Sequence, residues 1–192
     1  MTIGVSPKFY MNEIRVKVVT LGSTSVGKTT LVTRWMEDRF ESRFNPTITA
    51  GFQVQSIEYE DQCYSLQIWD TAGQDTYRET TSFYCRDARA VLVVFDLTQR
   101  SSFDDLPGWI SLLKEGCSVT PPIIIVGNKT DLACSGSRAV EAAEAQEFAT
   151  ENGAEYFETS AYTGMGVDDA FNQLIVCACE KRNNKPDRKS VV

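Results

Sequence analysis

The run Gly22-Ser23-Thr24-Ser25-Val26-Gly27-Lys28-Thr29 sets two glycines around four small residues and follows the second with an amine and a hydroxyl. Glycines let the backbone curl until successive N–H groups converge on phosphate oxygens. Lys28 would add a full positive charge, and the Thr29 hydroxyl is a ligand suited to Mg2+. Thr30, one residue further on, is counted with the same cradle. Downstream, Asp70-Thr71-Ala72-Gly73-Gln74 ends an apolar run. Asp70 could hold Mg2+ through water, because that ion dehydrates reluctantly. Gly73 could bring a backbone N–H against a terminal phosphate, and Gln74 could orient an attacking water. A third string, Asn128-Lys129-Thr130-Asp131, selects the base. Its carboxylate can accept from both N1–H and the exocyclic amine of guanine, whereas adenine would leave that acid unpaired. Asn128 can tie this string to the glycine loop, and the Lys129 stem can pack along the base.

These residues need elements to hold them, and the patterning supplies them. Residues 16–21 read as a buried strand that stops at Gly22, and 29–38 as the helix that follows. Alternation over 52–59 and 64–69, with a turn at 60–62, predicts a hairpin. Short apolar strands follow at 90–95, 123–126 and 156–159, with helices at 102–114, 139–152 and 167–182 between and after them. Gly153 is placed to cap the second of those helices. Alternating strands and helices predict an α/β phosphate-loop fold. The expected sheet is six-stranded and mostly parallel, with one antiparallel strand and helices on both faces. A single domain is expected over 13–182, with tails at 1–12 and 183–192.

The glycine loop, the DTAGQ string and the NKxD string, in this order, resemble the Ras superfamily of small GTPases over residues 13–182. That resemblance implies a first switch at Asn45-Pro46-Thr47-Ile48, with Thr47 as a Mg2+ and γ-phosphate ligand. It implies that Phe40 packs on the guanine edge, with a staple closing the first helix as the alternative for a phenylalanine there. Thr159-Ser160-Ala161-Tyr162 resembles the family's SAK segment, in which the Ala161 N–H meets the guanine carbonyl. Tyr162 stands where lysine is usual and could stack on the same face of the base. Thr24 and Ser25 would face the terminal phosphate, or serve only as loop spacers. The implied reaction is slow hydrolysis of GTP to GDP, with exchange factors, activating proteins and effectors acting through the switches.

Within that superfamily the Rab branch is the nearest pattern. Phe52, Trp69, Tyr77-Arg78, Tyr84-Cys85-Arg86-Asp87-Ala88 and Phe95-Asp96-Leu97-Thr98 carry the likeness, and the stretch 128–149 leans toward endosomal Rabs. No room exists between 131 and 139 for the insert of the Rho branch. Departures are Thr49 for a usual glycine, Asp75-Thr76-Tyr77 for Glu-Arg-Phe, and Cys85 and Asp87 for Tyr and Gly. No prenylation cysteine follows Cys179, and Thr2 excludes N-myristoylation. Membrane association is therefore open, and a GTP-holding scaffold with little hydrolysis is the alternative. A nucleoside kinase on the same loop would need a lid and an acceptor pocket that the sequence does not offer.

Composition bounds the remaining classes. A formal charge of -7 argues against a nucleic-acid partner, and 42% hydrophobic with 23% charged residues is a globular balance. The six cysteines show no CxxC pairing, so reduced thiols in the cytosol are expected. The apolar runs are too short to span a bilayer. A cytoplasmic monomer is expected, working at the cytosolic face of endosomal or other vesicle membranes.

Overall fold

Valine and isoleucine dominate both faces of the central strands, so helices must cover the sheet on both sides. A computed structural model of the protein describes residues 4–5, 13–40, 51–71 and 83–180. In it the strands are β1 (Gly4–Val5), β2 (Ile14–Leu21), β3 (Gly51–Tyr59), β4 (Gln62–Asp70), β5 (Ala90–Asp96), β6 (Ile123–Asn128) and β7 (Glu155–Glu158). They form one sheet in the order β1-β3-β4-β2-β5-β6-β7. Pairing is parallel from β4 through β7, while β3 runs antiparallel to β4. The six expected strands are all present. A seventh, the two-residue β1, pairs antiparallel with β3 inside the segment read as a tail. The β3–β4 turn is two residues long, because Glu60 and Asp61 both adopt left-handed backbone (φ 48 and 59), the twist that suits a tight hairpin.

Among the described residues, five α-helices of five residues or more flank the sheet: α1 (Lys28–Glu37), α2 (Arg100–Asp104), α3 (Leu106–Gly116), α4 (Ala142–Glu151) and α5 (Val167–Glu180). Leu31 and Val32 of α1 and Phe171, Leu174 and Ile175 of α5 close one face against Val18, Ile68, Leu92 and Val126. Leu106, Trp109 and Leu113 of α3, with Ala145 and Ala149 of α4, close the other against Val19, Val91, Val93 and Ile125. The alternation of strand residues between these two cores is the period-two rule at work, and β5 is buried along its whole length because both its faces are covered.

Three local expectations shift. The helix expected over 102–114 is two helices meeting at Asp105, because Pro107 lacks the N–H that would continue the ladder. The helix expected from residue 139 begins at Ala142, since the Ala139 N–H is taken by the Leu97 carbonyl at 2.8 Å and Glu141 is extended. Strand β7 lies one residue earlier than expected. Gly153 does cap α4: its φ is 63, and the next N–H, of Ala154, returns to the Ala149 carbonyl at 2.9 Å. All six cysteines are reduced. Cys85 is fully buried where a tyrosine is usual, and the Cys117 thiol donates to its carbonyl at 2.9 Å.

Candidate functional site

The loop between β2 and α1 is shaped by its neighbours as much as by its glycines. A Cβ on Gly22, whose φ is 135, would lie 2.1 Å from the Val94 carbonyl oxygen, so the loop leaves the sheet in contact with the β5 backbone. A Cβ on Gly27 (φ 98) would meet the Asn128 side-chain amide at 2.4 Å. Ser25 is also left-handed, at φ 67. Lys28 is buried, and its Nζ donates to the carbonyls of Gly22 (2.8 Å) and Ser23 (3.0 Å). Burial pulls its ammonium down to about 8, with the Asp70 charge opposing the shift. Helix α1 has no side-chain cap and no acidic residue in its first turn. A buried cation beside an uncapped helix N-terminus is a place for an anion, and a polyphosphate fits it.

Asp70 ends β4 directly beneath that turn. Its carboxylate is buried and accepts from Thr20 Oγ1 at 2.9 Å and from Thr29 Oγ1 at 2.5 Å. Burial raises its pKa, and the two hydroxyls and Lys28 counter that rise. A carboxylate joined to a hydroxyl at the mouth of a phosphate cradle is an all-oxygen donor set, so these residues fit Mg2+. Thr24 and Ser25 are exposed at the same mouth, and Val26 is buried below it. The Ser23 hydroxyl donates to Asp105 Oδ2 at 2.7 Å and accepts from Trp109 Nε1 at 3.3 Å, which anchors the loop to the α2–α3 break. Thr47, Gly73 and Gln74 lie outside the described residues.

The residues expected to read the base come together from the ends of β6 and β7, with Phe40 arriving from beyond α1. Asn128 Nδ2 donates to the Val26 carbonyl at 2.9 Å. Its Oδ1 accepts from Thr159 Oγ1 and from the Ala161 N–H, each at 3.2 Å. One side chain thus ties the phosphate loop to both base loops. Asp131 Oδ1 accepts from Ser160 Oγ at 2.6 Å, which in turn accepts the Thr163 N–H at 3.1 Å. Lys129 is left-handed (φ 69), and its Nζ pairs with Asp96 Oδ2 at 2.6 Å, which ties its side chain to the end of β5. Phe40 and Tyr162 meet edge to face, with ring centroids 5.1 Å apart and planes at 84°. Both rings are exposed, which favours a wall of a binding site over a buried staple.

Several contributors carry no signal in the sequence. Arg34, Asp96, Thr20 and Asp105 touch the site only through tertiary contacts between elements distant in the chain. Arg138 and Glu158 form a further support behind the base loop, with paired bonds of 2.9 and 2.7 Å, and the Tyr156 hydroxyl donates to Glu158 at 3.0 Å. Hydrogen bonds from Arg138 hold the Glu158 carboxyl below its ordinary value, with burial partly opposing. A carboxylate depressed in this way stabilises the fold above the ordinary value of 4.5, and that contribution is lost as pH falls through the lowered one. Glu158→Gln is therefore expected to cost about 1–2 kcal/mol at neutral pH. Urea titrations at pH 7 and pH 3 check this, since the gap between the two proteins should close in acid.

Residues 17–180 match the Ras family. The chain is 37% identical to the Ras-related protein Rab-13 of Mesocricetus auratus over 158 residues, covering 82% of this chain and 77% of that protein. It is 37% identical to the Ras-related protein Rab-2B of Dictyostelium discoideum over 170 residues, 88% of this chain and 83% of the other. The Ras-related protein RABA4b of Arabidopsis thaliana is 38% identical over 169 residues, which are 88% of this chain and 75% of the relative.

Proposed function

This chain belongs to the Ras family of small GTPases, in its Rab branch, and from that premise we propose how its own residues carry the activity. The protein is a GTP-binding switch that hydrolyses GTP and takes part in regulating vesicle traffic. The observation that supports the site reading most strongly is Asn128, whose amide joins the phosphate loop, Thr159 and Ala161 in one set of bonds. Phosphate contact and base contact are built as a unit.

In this reading the amides of residues 22–30 and the Lys28 ammonium hold the β- and γ-phosphates. Thr29, Thr47 and, through water, Asp70 are the residues that would hold Mg2+, which would supply neutralisation of the phosphate charge. Thr20 orients the Asp70 carboxylate for that purpose. Asp131, fixed by Ser160, accepts the two N–H groups of guanine, and the Ala161 N–H reaches the base carbonyl. Lys129 lies along one face of the base, while Tyr162 and Phe40 wall the other side. Gln74 places water in line with the terminal phosphate. Gly73 and Thr47 hold the two switches only while that phosphate is present, so hydrolysis becomes a change of surface.

Exchange factors, activating proteins and effectors act on such switches. The aromatic row Phe52, Trp69 and Tyr84, with centroids 5.1 and 5.5 Å apart, borders them and offers an effector a partly exposed apolar face. The chain works as a monomer in the cytosol and at vesicle membranes, with the endosomal group as the narrower assignment. No helix among the described residues is long and apolar enough to cross a membrane.

Single-turnover hydrolysis tests the reading. GTP-loaded protein should release phosphate slowly, and Gln74→Leu should slow it by at least about tenfold without weakening GTP binding. A wild-type protein that retains GTP indefinitely would make this a scaffold, and an unaffected variant would remove Gln74 from the mechanism.

A further inference from the structure

Arg34 lies in the last turn of α1, distant in sequence from the base loops that follow β6 and β7, and its side chain is only 15% exposed. Its guanidinium is fully committed. Nε donates to the Ala161 carbonyl at 2.8 Å and one terminal nitrogen to the Tyr162 carbonyl at 2.7 Å. The other terminal nitrogen reaches the Asp38 carbonyl at 3.1 Å and its Oδ1 at 3.3 Å. The base loop's internal bonds run instead through Ser160, Thr163, Gly164 and Met165. Among the described residues, Arg34 is the side chain that donates to the two consecutive carbonyls of Ala161 and Tyr162.

We infer that Arg34 is a positioning residue for guanine recognition: its fork fixes the Ala161–Tyr162 peptide so that the adjacent Ala161 N–H is aimed at O6 of the base. The inference rests on the base-site reading above. The physical case is geometric. The Ala161 N–H donates a long bond of 3.2 Å to Asn128 Oδ1, a weak hold that the base O6 would have to share or replace, so the direction of this N–H depends on what restrains the peptides beyond it. Two charge-assisted bonds from a planar group to consecutive carbonyls restrain the two peptides on either side of the Tyr162 α-carbon, the first of them joined directly to Ala161, as a single ammonium could not. The third arm grips Asp38, the left-handed residue that ends α1 two positions before Phe40. The same guanidinium therefore also brings the Phe40 ring to its contact with Tyr162, so base loop and first-switch approach are referenced to one helix.

The test compares release of GDP with release of 6-thioguanosine diphosphate, which keeps N1–H and the 2-amino group and replaces O6 with a poorer acceptor. Wild-type protein should release the thio analogue faster than GDP. Arg34→Ala should speed GDP release by at least about tenfold, and the gap between the two nucleotides should shrink toward none. Arg34→Lys should fall between, and it carries the same comparison if the alanine variant does not fold. A merely structural role would speed both ligands equally and preserve the gap, and that result overturns the inference alone. Equal release of both ligands by the wild type would overturn the Ala161 reading and the inference with it.

Discussion

Asp131→Asn should lose guanine nucleotides and gain xanthine nucleotides. The carboxylate offers two acceptor oxygens, one of them oriented by the Ser160 hydroxyl at 2.6 Å. Guanine offers two donors, so both oxygens are used. The substitution keeps the shape of the side chain and turns one acceptor into a donor, which then faces the 2-amino group of guanine. Losing one charged hydrogen bond and creating one clash of donors amounts to about 3–6 kcal/mol, or roughly 10²–10⁴-fold in GDP affinity. Xanthine carries an oxygen where guanine carries that amine, so xanthosine diphosphate should bind the variant better than GDP does. Titration of both nucleotides into both proteins checks this. Undiminished GDP binding would mean that Asp131 does not read the base.

Lys28→Ala should be the second large effect, and it should differ in kind. Among the described residues, the buried ammonium has the Gly22 and Ser23 carbonyls beside it, together with the Asp70 charge that raises its pKa against burial. Such a cation is suited to an anionic partner. Removing it should weaken GDP and GTP alike by about 3–5 kcal/mol, roughly 10²–10³-fold or more. The ratio of GDP to ADP affinity should hardly move, because the base loops keep their bonds to one another. Isothermal titration with the two diphosphates separates the cases. A variant that loses base preference as well would show that the phosphate loop shapes the base pocket, through Val26 and Asn128, more than its own charge requires.

The two predictions separate phosphate from base, yet the structure joins them. Gly27 can approach Asn128 only because it has no Cβ, and Asn128 reaches Val26 only because β6 ends level with the phosphate loop. That level is set by the parallel register, in which Asp96 of β5 lies opposite Asn128 of β6. Ligands gather at the carboxyl ends of such strands because every loop that follows a parallel strand opens on the same side.

The sequence by itself determined the alternation of strands and helices and the hairpin. It also singled out the residues expected to contact a nucleotide, since each such contact needs a particular residue type at a particular spacing. Glycine, lysine and hydroxyl after a strand announce a phosphate, and an acid in the NKxD string announces guanine. Only the tertiary structure decided which side chains hold those residues in place. Arg34 to Ala161, Asp96 to Lys129, Thr20 to Asp70 and Asp105 to Ser23 join elements far apart in the chain, and a supporting bond can be made from any element that passes nearby. It also decided the break at Asp105 and the short β1, where bonding to neighbours outweighs local pattern. A group that meets the ligand is constrained by the ligand's chemistry and so leaves a pattern. A group that meets another side chain is constrained by the path of the fold, which no local pattern records.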